Sequence, residues 1–262
     1  FDPVTYQFNR LLDFSAINGQ TPHQGVTPGP DSQLYGTTFY GGTGNAGVVY
    51  KVAPDGSNYT KLKEFNNQTQ QTGVNPYGEL TQLEDGSYMG TARSGGVNGL
   101  GTIFKLNKYG FGLTKTYDFA NTGGWYPLSG LTQATDGRLY GTTNASTPSG
   151  RGTIYSVNSN GTDHTQLLQL DNATGGHPIW NKLTETENGK LIGNMDYVPG
   201  GYGRVFSIAK DGSQFQSIAD FYGSNGSYPR GKLAKGTDGF YYGTAATGGS
   251  YGYGTIFKVR ED

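Results

Sequence analysis

The stretch YMGTARSGGVNGLGTIFKL, residues 88–106, decides the fold because variants of it recur along the chain. Each variant has a short signature ending in glycine, then a Gly-rich stretch, then an apolar run. The other copies occupy residues 34–52, 139–157, 191–208 and 241–259. The signature glycines, Gly36, Gly90, Gly141, Gly193 and Gly243, are 54, 51, 52 and 50 residues apart. A proline recurs in the same register, at Pro22, Pro76, Pro127, Pro178 and Pro229. Five units with a fixed period indicate a repeat architecture.

Each unit predicts four short strands and no helix. In the second unit, strands A, B and C are expected near 80–83, 88–93 and 102–106, and 59–65 is a D strand. Asp-Gly and Asn-Gly pairs between A and B, and similar glycine turns between C and D, are typical of tight hairpins because these residues accept positive φ. Strand C is apolar on both faces, so we expect it to be covered on both sides.

About 51 residues in four antiparallel strands, repeated five times, predict an all-β protein with the architecture of a five-bladed β-propeller. We expect residues 1–262 to form a single domain. The last unit stops after strand C at Val259, while residues 6–14 align with the D strands. We therefore expect residues 6–14 to complete the last blade and close the ring, which would remove an exposed sheet edge. An open five-unit solenoid is the alternative, but it would need distinct polar caps at its ends.

Composition excludes several classes of function. The 262 residues include 19 basic and 20 acidic side chains, so the net charge of -1 creates no field that would gather nucleic acid. The absence of cysteine excludes disulfides, thiolate metal sites and a cysteine nucleophile. No apolar run approaches the roughly 20 residues of a membrane span, so none is expected.

The repeat pattern, LYGTT followed by GG and GTIFKV, is matched closely by Leu34–Thr38, Gly101–Leu106 and Gly254–Val259. In this it resembles the Gloeobacter/Verrucomicrobium-type tandem repeat family, over essentially the whole chain. Unit four departs most, with Asn194-Met195-Asp196 in place of the threonines. The resemblance implies the repeat architecture and a secreted or surface-anchored protein, and it brings no catalytic residues.

Two further features agree with secretion. The chain begins with Phe1 rather than Met, as a processed secreted protein does. It also carries six Asn-x-Ser/Thr sequons, which predict a glycoprotein if the source is eukaryotic. They lie at Asn58, Asn67, Asn144, Asn160, Asn172 and Asn225.

Strand connectivity predicts where a site lies. The tight A-to-B and C-to-D turns fall at one end of the propeller, and the B-to-C and D-to-A loops fall at the other end, called the loop-rich face below. Loops on a rigid frame commonly carry binding groups. The candidate ligand-binding residues on this face are Tyr77, Arg93, Trp125, Tyr126, His177, Trp180, Asp196, Tyr197, Tyr228 and Arg230. Packing between blades is the alternative role for those that flank the prolines.

Aromatic rings beside hydrogen-bonding groups suit sugars, so the sequence predicts a lectin-like protein whose partner is a glycan or polysaccharide. No cofactor is implied, and no metal site is expected because the histidines lack ligand spacing. A polysaccharide-active enzyme is the alternative. A glycoside hydrolase would use Asp196 with Glu79, whereas a lyase would use Lys182 and Lys232 with His177, Arg93 and Arg230. The same lysines and Glu79 also suit a salt-linked channel lining, and a protein-binding scaffold is a third possibility.

Overall fold

The computed structural model describes residues 8–68, 71–146, 150–178, 180 and 182–261. This part of the chain forms five antiparallel sheets. In each sheet the strands follow the order of the chain from the inner to the outer position. The described residues contain no helix, and thus none that could cross a membrane. The all-β fold with five blades is confirmed.

The twenty strands fall into four classes by position in the blade. The inner strands are β1 (Thr27–Pro28), β5 (Val74–Pro76), β6 (Thr81–Gln82), β10 (Thr132–Gln133), β14 (Thr184–Glu185) and β18 (Ser227–Lys235). The second strands are β2 (Leu34–Thr38), β7 (Tyr88–Ser94), β11 (Leu139–Thr143), β15 (Leu191–Met195) and β19 (Tyr241–Thr247). The third strands are β3 (Val48–Val52), β8 (Thr102–Leu106), β12 (Thr153–Val157), β16 (Arg204–Ile208) and β20 (Thr255–Val259). The outer strands are β4 (Thr60–Glu64), β9 (Thr114–Asp118), β13 (Thr165–Gln169) and β17 (Gln216–Asp220).

The inner strands are joined from blade to blade by a repeated side-chain hydrogen bond. A threonine hydroxyl on one inner strand donates to the carbonyl of a leucine on the next blade. The four pairs are Thr27 with Leu80, Thr81 with Leu131, Thr132 with Leu183, and Thr184 with Leu233. Blade 5 has Ala234 at the threonine position. The seam between blades 5 and 1 therefore lacks this link.

The recurring prolines pack on recurring glycines of the preceding blade. A Cβ at Gly101 would lie 2.6 Å from Pro127 Cδ, and one at Gly203 would lie 2.4 Å from Pro229 Cδ. These glycines have φ values of 110° and 123°, so their position requires both the small size and the backbone freedom of glycine. The fixed spacing of these Gly and Pro residues along the chain thus follows from the close packing of neighbouring blades.

The residue before each recurring proline has a left-handed backbone. The φ values are 58° at Thr21, 58° at Asn75, 59° at Tyr126, 54° at His177 and 56° at Tyr228. In blades 2 to 5 the N–H of this residue donates to a loop carbonyl of the preceding blade, for example Tyr126 to Leu100 at 2.9 Å. This conformation is costly for a side-chain-bearing residue, and the hydrogen bond across the seam offsets part of the cost.

The core lies between neighbouring sheets, as the two-sided apolar pattern of strand C predicts. Ile103 and Phe104 are both fully buried. After three of the four outer strands, β4, β9 and β17, the next residue packs its ring edge-on against the third strand of the next blade, and Leu170 holds this position after β13. The ring contacts are Phe65–Phe104 at 5.3 Å, Phe119–Tyr155 at 5.3 Å and Phe221–Phe257 at 5.0 Å.

The N-terminal segment makes one of the two contacts expected of it: it packs on blade 1, but it does not pair with β20 in the described part of the chain. Phe14 packs edge-on against Tyr50 of blade 1 at 5.1 Å, as the other outer segments do on their neighbours. Residues 8–14 form no strand, however, and the fifth sheet has three strands in the described part of the chain. Ile256 is 83% exposed, whereas its counterpart Ile103 is fully buried.

The lack of strand pairing in this segment differs from the expectation that residues 6–14 complete the last blade. Tyr6 and Gln7 lie outside the described residues, so the difference concerns residues 8–14. Each of the four outer strands is tied to its third strand by a tight turn that fixes the pairing register. The N-terminal segment has no such turn to β20, so its pairing must close a loop as long as the chain, at a higher entropic cost.

Candidate functional site

A cavity of about 420 Å³ lies at the centre of the loop-rich face. Its lining comes from four blades, so it forms only when the blades are assembled around the ring. The lining residues are His23, Gln24, Tyr77, Trp180, Arg230 and Gly231. We call this the central cavity.

The recurring prolines explain why these residues converge. His23, Tyr77 and Arg230 each directly follow a recurring proline, in blades 1, 2 and 5. The left-handed residue before each proline turns the chain at the same point of every blade, so the residue after it reaches the same radius. The blades thus present different side chains to one shared space.

Trp180 reaches the cavity by a local irregularity. Four residues separate Pro178 from Leu183 in blade 4, whereas three separate Pro76 from Leu80 in blade 2. The extra residue is accommodated by a left-handed backbone at Trp180, with φ of 64°. A bulky residue in this region is strained, and such strain clusters at ligand sites.

Two stacked rings form one wall of the cavity, and a third ring, Phe39, packs behind them. His23 lies flat on Tyr77, with ring centroids 4.3 Å apart and an interplanar angle of 15°. Phe39 meets both rings edge-on at 5.4 Å. Burial raises the pKa of the Tyr77 phenol, while Trp180, Arg230 and Arg93 act in the opposite direction. The imidazole and phenol are therefore both neutral at pH 7, because burial also lowers the pKa of His23.

A fixed guanidinium forms the opposite side. The Arg230 guanidinium lies over the Trp180 ring at 4.2 Å. Its Nε and Nη2 donate to Asp196 Oδ2 at 3.0 and 2.9 Å. Asp196 is 7% exposed, and its Oδ1 is a buried atom with no hydrogen-bond partner. Burial raises the pKa of Asp196 and Arg230 lowers it, with burial the larger effect.

The other predicted residues lie at seams around the cavity. At the seam of blades 2 and 3, the Arg93 guanidinium lies over the Tyr126 ring at 4.8 Å. Tyr228 meets Tyr202 at 5.9 Å at the seam of blades 4 and 5. Trp125 pairs through its backbone with Ala145, and no described contact joins it to the central cavity.

His177 and Tyr197 belong to a second cluster, at the seam of blades 3 and 4. His177 Nδ1 lies 3.2 Å from the Asn144 carbonyl oxygen, and its Nε2 lies 3.3 Å from Arg151 Nη1. The Arg151 guanidinium lies over Tyr197 at 3.7 Å. Burial first, and then Arg151, lowers the pKa of His177. The predicted set is therefore divided: Tyr77, Trp180 and Arg230 line the central cavity, with Asp196 supporting Arg230, and the rest do not line it.

Below the cavity, the inner strands place charged residues along the axis. Lys182 Nζ lies 3.8 Å from Glu79 Oε2, and Lys232 is near enough to lower the Lys182 pKa by its charge. Burial is the largest cause of that lowering, and Glu79 opposes it. This arrangement agrees with the salt-linked channel lining. Glu79 and Asp196, the predicted hydrolase pair, each lie within ion-pair distance of a cation.

His23 and Gln24 are lining residues that the sequence-based set lacks. The available signal was position, because His23 follows its proline as Tyr77 and Arg230 follow theirs. A larger cavity, of about 810 Å³, lies on the outer rim of blade 1 among Asn66, Asn67 and Gln68. Its lining includes Glu64 and Phe65, but Phe65 is 1% exposed and its ring packs on Phe104, so this cavity offers little aromatic surface to a ligand. No cluster of three or more possible metal ligands occurs among the residues that the structure describes.

Comparison with known proteins gives the family and the fold. A family profile described as the Gloeobacter/Verrucomicrobia repeat matches residues 1–198. No curated protein matches the chain by sequence.

Solved structures similar to the chain include one in the nidogen/laminin complex, which is 17% identical with a TM-score of 0.59, covering 84% of this chain and 71% of that one. A gluconolactonase from Xanthomonas campestris is 14% identical with a TM-score of 0.57, covering 90% of this chain and 71% of that one. An extracellular domain of a one-component system from B. thetaiotaomicron is 12% identical with a TM-score of 0.61; the match covers 97% of this chain and 29% of that one. At these identities the likeness shows the propeller fold alone.

Proposed function

The chain belongs to the Gloeobacter/Verrucomicrobia repeat family, and we propose that this member is a secreted, lectin-like carbohydrate-binding protein. The binding site in this proposal is the central cavity. The observation that carries it is the convergence of Trp180, Tyr77 and His23 around one space beside the Arg230 guanidinium.

The chemistry of the cavity supports a sugar as ligand. Sugar rings present C–H faces that pack on aromatic rings and hydroxyl groups that need hydrogen-bond partners at the rim. Trp180 and Tyr77 supply rings, while Arg230 and Gln24 supply polar groups. A volume of about 420 Å³ lies within the range of roughly 300–1,000 Å³ that ligand pockets have, at its lower end. A short glycan segment fits this size.

The proposal includes one site per chain. The side chains after the five prolines differ between blades, as His23, Tyr77, Leu128 and Arg230 illustrate. A lectin with one site per blade would need the same side chains in each repeat. The repeated features here are the seam glycines, the prolines and the core aromatics, which serve the fold.

Secretion is supported by the sequons and by the likeness to an extracellular domain of a B. thetaiotaomicron protein. A propeller that binds glycans outside the cell would meet its ligand as a polymer or as a surface coat. The loop-rich face is open enough for the end or the bend of such a chain.

The direct test is a glycan array followed by titration calorimetry of the strongest ligand against Trp180→Ala. We expect the wild-type protein to bind glycans and the variant to lose at least about tenfold in affinity, since a buried ring contact contributes on the order of 1–3 kcal/mol. Trp125→Ala is the matched control, because that indole lies on the same face outside the central cavity. We expect it to keep the wild-type affinity.

The melting temperature of both variants separates binding from folding. Trp180→Ala should melt within a few degrees of the wild type. An array on which every glycan stays unbound would overturn the proposal, and so would equal losses of affinity in the two tryptophan variants.

A polysaccharide lyase is a second candidate, and the lowered pKa of Lys182 is the observation that favours it. A lysine with a lowered pKa can take a proton from a substrate carbon as a general base. An ultraviolet assay for unsaturated products would detect this activity. If product forms and Lys182→Met abolishes it while leaving binding intact, the protein is an enzyme and the lectin proposal is replaced.

A further inference from the structure

The central cavity has a guanidinium, that of Arg230, whose hydrogen-bond donors are only partly paired within the protein. Of the five N–H donors of Arg230, one on Nε and one on Nη2 bind Asp196, and its side chain stays 38% exposed. No other described protein atom accepts a hydrogen bond from it. Because the guanidinium is held between its bonds to Asp196 and the Trp180 ring, 4.2 Å away, its remaining donors are held in place at the cavity that Arg230 lines.

Arg93 is a second guanidinium beside the same wall. It lies over Tyr126 at 4.8 Å, and in the described part of the chain no carboxylate lies within 4 Å of it. Its charge also acts on Tyr77, which lines the cavity. Strand β7 explains the placement, since Pro76 pairs with Ala92, one residue before Arg93.

The balance of charge at this mouth is positive, in a chain whose net charge is -1. Two guanidiniums, Arg230 in the lining and Arg93 near enough to act on Tyr77, lie at this mouth. Among the described residues one carboxylate, Asp196, pairs with Arg230, and no ion pair joins a carboxylate to Arg93. Farther along the axis, Lys182 and Lys232 accompany Glu79, and Glu84 and Glu185 line the same channel with Lys210 bound to Glu185. The excess of positive charge is therefore local to the mouth.

We propose that the ligand of the central cavity is a glycan that carries carboxylate groups, as a uronate polymer does. The inference rests on the proposed function and specifies the sugar class. A hexuronate presents a C–H face for Trp180 and Tyr77 and a planar carboxylate at the ring edge. Guanidinium groups pair with a planar carboxylate through two parallel N–H donors, which a neutral hydroxymethyl group cannot accept.

The test compares three oligosaccharides by titration calorimetry. The first is a galacturonate trimer, the second is the same trimer with its carboxyl groups reduced to alcohols, and the third is a sulfated galactose trimer. We expect the uronate to bind at least about tenfold more tightly than the reduced trimer, and to weaken as salt rises from 50 to 500 mM. The sulfated trimer should bind less tightly than the uronate, because sulfate is tetrahedral.

Variants assign the effect to the two arginines. Arg93→Met should reduce uronate affinity about tenfold and leave affinity for the reduced trimer unchanged. Arg230→Lys keeps the charge beside Asp196 but removes the planar fork, so it should lose uronate affinity as well. Lys108→Met, which removes a positive charge at the opposite end of the propeller, is the control and should bind as the wild type does.

The outcomes distinguish a failure of the uronate proposal from a failure of the carbohydrate-binding proposal. Equal binding of uronate and reduced trimer overturns the charge specificity and leaves the carbohydrate-binding proposal standing. Sulfate binding as tight as uronate overturns carboxylate recognition in favour of general anion binding. If none of the three trimers binds and the array is also silent, the proposed function itself fails.

Discussion

The residue before each recurring proline determines where the loop-rich face places its side chains. A residue that precedes proline normally avoids a helical backbone and prefers an extended one, yet Thr21, Asn75 and Tyr126 all have φ near 58°. In blades 2 to 5 the left-handed turn is held by a hydrogen bond to the previous blade. It aims the residue after the proline toward the axis, which is why Tyr77 and Arg230 line one cavity although they lie about 150 residues apart.

A second residue-scale feature is a partly buried histidine packed among aromatic rings. His164 stacks on Tyr117 at 4.2 Å and lies 5.0 Å from the Tyr155 ring. Its Nε2 is buried without a partner, and burial lowers its pKa to about 4. The neutral form is therefore the one that the fold accepts.

We expect His164 to make the protein acid-sensitive. Because its folded pKa is below the unfolded value of 6.5, its contribution is complete above pH 6.5 and is lost as pH falls toward 4. His164→Phe copies Phe215, which stacks on Phe206 at the same place of blade 4. Chemical denaturation of both proteins at pH 7 and pH 4 should show a smaller acid loss in the variant, by on the order of 2 kcal/mol. Equal acid losses would contradict this role.

The sequence predicted the face on which the site residues lie, but not which of them line the same cavity. Strand order alone places Trp125 and Trp180 on one face, and the structure has them there. It could not separate them, because Trp180 enters the cavity through a one-residue insertion whose backbone direction no pattern encodes. Nor could periodicity show that Asp196 of one blade and Arg230 of the next would form an ion pair.

At the scale of the element, the seam is a Gly–Pro contact repeated around the ring. Gly101 lies against Pro127 and close to the backbone oxygens of Ala92 and Arg93. Gly99 lies in the same loop with a φ of 72°, but a Cβ there would meet nothing within 4 Å. Gly99 therefore reports the cost of a positive φ without steric contact, whereas Gly101, with a φ of 110°, adds steric contact to it.

Gly101→Ala should therefore destabilise the protein by about 2–4 kcal/mol, since it adds overlap with Pro127 to the cost of a left-handed alanine. Gly99→Ala should cost about 1 kcal/mol, from the backbone alone. Urea denaturation monitored by tryptophan fluorescence measures both. Comparable losses in the two variants would show that the contact with Pro127 is not what the glycine serves.

The strands were predictable because each element carries its own local signals. Paired Asp-Gly and Asn-Gly turns delimit the strands, and the apolar run of the third strand identifies the middle of the blade. The predicted range 102–106 is the observed β8, and the predicted D strand at 59–65 contains β4. Closure depends instead on pairing between the two ends of the chain, for which no turn residue gives a signal.

At the scale of the whole molecule, β20 has an unpaired edge in the described part of the chain. If residues 6–14 pair there as the outer strands pair elsewhere, Leu12 faces Ile256, by analogy with Lys63 opposite Val49. The natural chain has no cysteine, so Leu12→Cys with Ile256→Cys is a clean test.

We expect this double variant to form an intramolecular disulfide under mild oxidation, and to melt at a higher temperature when oxidised than when reduced. Leu12→Cys with Tyr109→Cys, at distant sites, is the control and should stay reduced. Failure of the first pair to cross-link in the monomer would show that the N-terminal segment does not complete the fifth blade.

The seam between blades 5 and 1, which lacks the threonine hydrogen bond, is one of those that the central cavity spans, from Arg230 to His23. A sugar bound there would contact both sides of the seam at which that recurring hydrogen bond is missing. Ligand binding and closure of this seam would then stabilise one another. A change that weakens the contacts of the chain ends would therefore lower the affinity of the central cavity for its ligand.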